Sequence, residues 1–127
     1  MIDLVATDAA GDVWFFDVGG QNTSHRGGLL RVDTMWRCIG RATAVKMARG
    51  TTPLVVLTTQ LPKRSSEGDM AIRASGPEVF FDVVDLFSAD GAERLRRYAK
   101  GGFTSEQLPG FWTPNHLLAQ RAKTEES

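Results

Sequence analysis

The chain reads as an α/β protein, a mixed β-sheet flanked by helices in the order β-β-α-β-β-α. Three observations predict this. The opening stretch MIDLVATDAAGDVWFFDVGGQN holds two β-rich runs around a turn. Apolar residues then recur at spacings of three and four between Leu29 and Arg49, the period of an amphipathic helix. An uninterrupted apolar run, Pro53-Leu54-Val55-Val56-Leu57-Thr58-Thr59, follows, the pattern of a strand buried on both faces.

The 127 residues suit one domain with a sizeable core. Residues 1–102 form its α/β body, and 103–127 form an aromatic segment and short helix packed on that body, ending in the polar tail Lys123-Thr124-Glu125-Glu126-Ser127. Fifteen basic and fifteen acidic residues cancel, so no global field draws the chain to nucleic acid or to a membrane. Any nucleic-acid contact must come from a local patch. The apolar runs are too short to span a bilayer, and the single Cys38 excludes an internal disulfide and fits a reducing compartment, the cytoplasm by default.

The first element is a hairpin. Ile2–Asp8 and Asp12–Val18 are enriched in Val, Phe and Trp, and Ala9-Ala10-Gly11 makes the turn. Asp3 stands near the start of the first run and Asp17 near the end of the second, positions that lie side by side in an antiparallel pair. Two close carboxylates repel unless a cation or a proton sits between them. The glycine-rich stretch Gly19 to Gly28 is a loop by composition. It reads as a plain connector, or as a DNA-facing loop in which His25 and Arg26 meet phosphates.

The helix from Leu29 to about Arg49 places Leu29, Val32, Trp36, Ile39 and Thr43 on one buried stripe, with Met35, Ala42 and Met47 alongside. Asp33, Arg37 and Arg41 fall away from that stripe, as a solvated face carrying an ion pair or as phosphate contacts. Lys46 lies at the stripe's edge, placed to snorkel outward or to point toward the acids. Cys38 reads as a small buried residue. The strand that follows ends in Thr58, Thr59 and Gln60, at the carboxyl edge where α/β sheets usually bind ligands.

Leu61–Gly76 reads as a loop, with Met70-Ala71-Ile72 as a short apolar anchor and the basic pair Lys63-Arg64 as surface residues or a nucleic-acid clamp. Glu78–Phe87 reads as a buried strand whose Asp82 and Asp85 are candidate third acids, Asp85 also suiting the turn that follows. A second helix begins at Ser88 or Asp90, with capping-box spacing from Asp90 to Glu93 and Ala92, Leu95 and Ala99 facing inward. Arg94, Arg96, Arg97 and Lys100 crowd the rest, as complements of the helix dipole or as a phosphate patch. Phe103, Leu108, Phe111 and Trp112 pin the next segment across the core, or supply a subunit interface. Thr113-Pro114 opens a short helix to about Ala122, on which His116 has no metal-ligand neighbour.

Asp3, then thirteen intervening residues, then Asp17-Val18-Gly19, followed by a helix and a strand, resembles the restriction-endonuclease-like nucleases, whose signature is written PD-(D/E)XK. The resemblance spans about the first sixty residues. It implies that Asp3, Asp17 and the Val18 carbonyl hold Mg²⁺ or Mn²⁺ and that a metal-bound water attacks a DNA phosphodiester, with Arg26, Arg37, Arg41, Lys63 and Arg64 the candidate DNA contacts among the basic residues. Ile2 replaces the signature's proline, and Gly19 stands where its lysine should be. Glycine cannot position a water or neutralise charge on phosphate, so Gln21, Lys46 or an arginine of the following helix must substitute. Otherwise the domain is a catalytically inactive relative serving DNA binding or protein assembly. The family also carries a helix before its first acid, so this chain is expected to be a fragment of a longer protein or to gain that cover from a partner, a second copy included.

Overall fold

The computed structural model of the chain describes residues 4–19, 32–49, 52–59, 61, 65–104, 106–115 and 117, leaving aside the side chains at 19, 32–35, 49, 68 and 78. The expectations placed on Asp3, Gln21, His25, Arg26, Leu29, Gln60, Lys63, Arg64 and His116 lie outside the described residues. The elements are β1 (Leu4–Thr7), β2 (Val13–Gly19), α1 (Val32–Arg49), β3 (Leu54–Thr58), α2 (Glu67–Val79), β4 (Asp82–Asp85) and α3 (Ala89–Lys100).

The hairpin forms as its sequence dictates. Leu4 lies opposite Phe16 and Thr7 opposite Val13. The Asp8 amide donates to the Asp12 carbonyl at 2.9 Å, and the Asp8 carboxylate accepts the Ala10 and Asp12 amides. Gly11 closes the turn at φ 92°, a conformation that costs a side-chain-bearing residue about 1 kcal/mol or more. β2, β3 and β4 then run parallel, with Asp17 beside Val56 and Val56 beside Val83, giving a four-stranded mixed sheet in the order β1-β2-β3-β4.

The element order is β-β-α-β-α-β-α, one helix more than the sequence predicts. The stretch expected to be a loop over 61–76 holds most of α2, which runs on into the strand expected over 78–87 and leaves only β4 of it. Topology supplies the reason: parallel strands cannot be joined by a tight turn and need a crossover, usually helical. The local chemistry agrees. Ser66 caps α2 by accepting the Asp69 amide at 3.2 Å, and Glu67 and Asp69 place negative charge in the first turn. Gly76, at φ 76°, and Pro77 break the helix before the chain enters β4.

Both sheet faces are covered. On one, Phe15, Leu54, Val56 and Val83 pack against Cys38, Ala42 and Val45 of α1, Ile72 of α2, and Phe111, Trp112 and Leu117. On the other, Trp14, Val55, Phe81 and Val84 pack against Tyr98 of α3 and Leu108. Val55, Val56, Val83 and Val84 are at most 1% exposed, each burial contributing about 1.5–3 kcal/mol. The aromatic segment after residue 103 is thus pinned to the body by Leu108, Phe111 and Trp112, the Trp112 indole donating to the Phe80 carbonyl at 3.1 Å.

Two helix faces differ from the sequence expectation. α1 buries Cys38, Ala42 and Val45, while Trp36 is 49% and Met47 83% exposed and Thr43 faces solvent. Helix α1 carries two stripes at helical spacing, and packing selects the one with small residues at 38 and 42, which lets the helix approach the sheet. α3 buries Gly91, Arg94 and Tyr98, with Leu95 half-buried and Ala99 exposed. Gly91 is required there: a Cβ would stand 2.5 Å from the Asp85 carbonyl oxygen.

Candidate functional site

Asp17 is the fifth residue of β2 and points to the face covered by α1, beside Phe15. It is 2% exposed. A carboxylate so placed needs a charge partner, because burying an isolated ionised acid costs several kcal/mol. Arg41 of α1 supplies it, its Nη2 donating to Asp17 Oδ1 at 2.8 Å. Cys38, one turn earlier on α1, places its Sγ 3.7 Å from Oδ2. Arg41 is about one-third exposed, and its Nε is buried with no hydrogen-bond partner among the described residues.

These contacts sort the predicted residues. The cation brought to Asp17 is Arg41, whereas Lys46 faces solvent. Of the two placements expected for Lys46, the outward one is seen: it lies five residues past Arg41, on another side of the helix. Arg41, read from sequence as turned away from the core, reaches inward instead. Arg37 stays exposed. Val18 shares the parallel ladder with Leu57.

Asp82 and Asp85 do not join Asp17. Val83, not Asp82, shares Asp17's row across β3, so Asp82 points to the opposite face. There it is 0% exposed and held by four donors: Arg94 Nε at 2.9 Å and Nη2 at 3.3 Å, the Tyr98 hydroxyl at 2.7 Å, and the Val83 amide at 2.8 Å. Burial pushes the Asp82 carboxyl above its ordinary range against the pull of Arg94 and Tyr98. Burial also pushes the Tyr98 hydroxyl up, and the neighbouring Asp82 charge adds to it. For Arg94, burial works against the charge, but Asp82 and Asp90 outweigh it and hold the guanidinium protonated. Asp85 accepts the Phe87 amide at 2.9 Å and so organises the turn after β4. The sequence hint of this network was Asp90 and Arg94 at i,i+4 on a helix facing an acid-bearing strand.

The described surroundings of Asp17 differ from those Mg²⁺ usually takes. That ion demands near-octahedral oxygen ligands and keeps several waters. Asp17 is instead almost sealed from solvent, with a guanidinium on one oxygen and a thiol near the other. Among the described residues, no three side chains of metal-binding type come together. No described helix is long and apolar enough to cross a membrane. Comparisons with protein-family models, with curated proteins and with solved structures found no match.

Proposed function

We propose that the chain is a nuclease-like α/β domain that is catalytically silent and works by protein assembly. One observation carries the reading: the acid at the metal-binding position, Asp17, has its charge neutralised internally by Arg41 at 2.8 Å. A divalent cation would have to displace that guanidinium and open a site that is 2% exposed. Assembly is supported by the large apolar side chains left outside the core, among them Leu4 and Val5 on β1 and Trp36 and Met47 on α1.

The second reading, a metal-dependent DNA endonuclease, is favoured by the same pair read differently. Arg41 brings to Asp17 the positive charge that Gly19 cannot supply. Incubation with supercoiled plasmid and Mg²⁺ or Mn²⁺ separates the two. The silent domain leaves the plasmid intact and shows no metal-dependent rise in Tm. Metal-dependent nicking that disappears in Asp17→Asn overturns the proposal in favour of the nuclease.

A further inference from the structure

A cleft of about 370 Å³ opens at the carboxyl ends of β3 and β4, between the first turns of α2 and α3. Its polar wall carries Asp69, Asp85 and Asp90 with Arg73 and Arg94, and Leu61 and Phe111 supply the apolar wall. Ligands of open α/β sheets bind at this edge.

The charges do not balance. Arg73 is taken up by Asp69 at 3.0 Å, by the Phe111 carbonyl at 2.7 Å, and by stacking on the Phe111 ring at 4.2 Å. Arg94 is shared between buried Asp82 and the rim residue Asp90, and its remaining capacity goes to the Val83 carbonyl. One guanidinium thus serves two carboxylates, and Asp85 forms no ion pair with any described residue. Among the described residues an anion meets surplus negative charge here, and the helix N-termini do not rescue it. The Gly91 amide is taken by Ser88 Oγ and the Asp69 amide by Ser66 Oγ.

Apolar surface lies next to this charge in the chain. Met70, beside Asp69, is 63% exposed, and Leu86 and Phe87, between Asp85 and Ser88, are 41% and 82% exposed. We propose that this cleft is a docking site for a protein partner that inserts an arginine side chain flanked by apolar residues. The guanidinium pairs with Asp85 and Asp90, and the flanking residues cover Phe87, Leu86 and Met70. Complementarity of this kind sets partner choice through charge and affinity through the apolar contacts. The inference rests on the assembly reading but has its own readout.

The test is an NMR titration with acetyl-Leu-Arg-Leu-amide at low salt, with the neutral citrulline peptide as control. The arginine peptide shifts the amides of Asp85–Gly91 and binds at least about fivefold more tightly than the citrulline peptide, the factor expected for roughly 1 kcal/mol of charge pairing. Asp85→Asn, which keeps an oxygen for the Phe87 amide, lowers arginine-peptide affinity by a similar factor and leaves the citrulline peptide unchanged. Asp90→Asn provides a second such variant. Equal binding of the two peptides, shifts outside the cleft, or indifference to both substitutions overturns the proposal. So does agmatine binding as tightly as the peptide, which makes the site one for small cations. Plasmid cleavage decides the assembly reading separately, so failure of one is not mistaken for failure of the other.

Discussion

Replacing Arg94 with methionine tests the physics of the α3 face most directly. The side chain is 6% exposed and donates through Nε and Nη2 to both oxygens of Asp82. Methionine fills similar volume and removes every one of those donors, leaving Asp82 with Tyr98 and the Val83 amide. Breaking a buried ion pair from one side costs about 3–5 kcal/mol. At about 3–5 °C per kcal/mol for a chain of this size, Tm falls by roughly 10–20 °C at neutral pH. The loss also depends on pH. The folded-state pKa of Asp82 already lies above its ordinary value of 3.8 because of burial, and losing Arg94 raises it further. A carboxyl shifted upward contributes stability that is fully present below its unfolded pKa and is lost as pH rises through the folded one. Arg94→Met therefore falls further behind the parent protein as pH rises from 4 to 7, by up to about 1.4 kcal/mol per pH unit between the two folded values. Asp82→Asn combined with Arg94→Met removes the stranded charge and recovers part of the loss. Urea unfolding at several pH values reads all three proteins. A deficit below about 1 kcal/mol, a deficit independent of pH, or a double variant no more stable than Arg94→Met would refute the reasoning.

Two glycines in helices respond to alanine with opposite signs. Gly91→Ala pushes a Cβ to within 2.5 Å of the Asp85 carbonyl and lifts α3 from β4, costing about 1–3 kcal/mol. Gly40→Ala on α1 meets nothing within 4 Å and stabilises by about 0.5–1 kcal/mol through helix propensity, so a thermal melt of each settles the pair. At the hairpin turn, Asp8 accepts the Trp14 indole N–H at 2.9 Å, and that bond, ahead of the turn amides, holds its carboxyl below 3.8. The stability it contributes is present above 3.8 and is lost as pH falls through the lower folded value. The Trp14 indole NMR resonance is expected to move with a midpoint below 3.8, and Asp8→Asn removes the transition.

The hairpin, α1, β3 and α3 were legible because each rests on a local rule: turn chemistry, helical period, a β-branched run, a capped start. α2 was not, because Pro62 precedes it and Gly68 and Gly76 lie within it, making its composition resemble a loop. Only the parallel pairing of β3 with β4, a long-range fact, requires a helix there. The inner faces of α1 and α3 were misjudged for a related reason. Hydrophobic period counts apolar residues, whereas Arg41 and Arg94 turn inward to meet acids on strands some 24 and 12 residues away. Asp17 was legible as a residue of interest, since an acid ending an apolar strand is conspicuous. Its partner was not, because pairing across the fold leaves no mark in local spacing.

The two buried acid–arginine pairs lie on opposite faces of one sheet, and their differences bear on function. Asp82 and Arg94 form a closed set: the guanidinium is 7% exposed, and every nitrogen has an acceptor. Such a network is satisfied by the fold alone, and a core gains conformational specificity from it rather than net stability. Asp17 and Arg41 are unequal. The acid is sealed, the guanidinium is about one-third exposed, and its Nε is buried without an acceptor among the described residues. A pair kept only for packing would be replaced without loss by apolar residues of similar volume. Asp17, the fifth residue of β2, thus holds its arginine in a less complete arrangement than Asp82 does. Arg41 neutralises Asp17 from α1, and whether a divalent cation displaces it is what separates the proposed assembly role from hydrolysis.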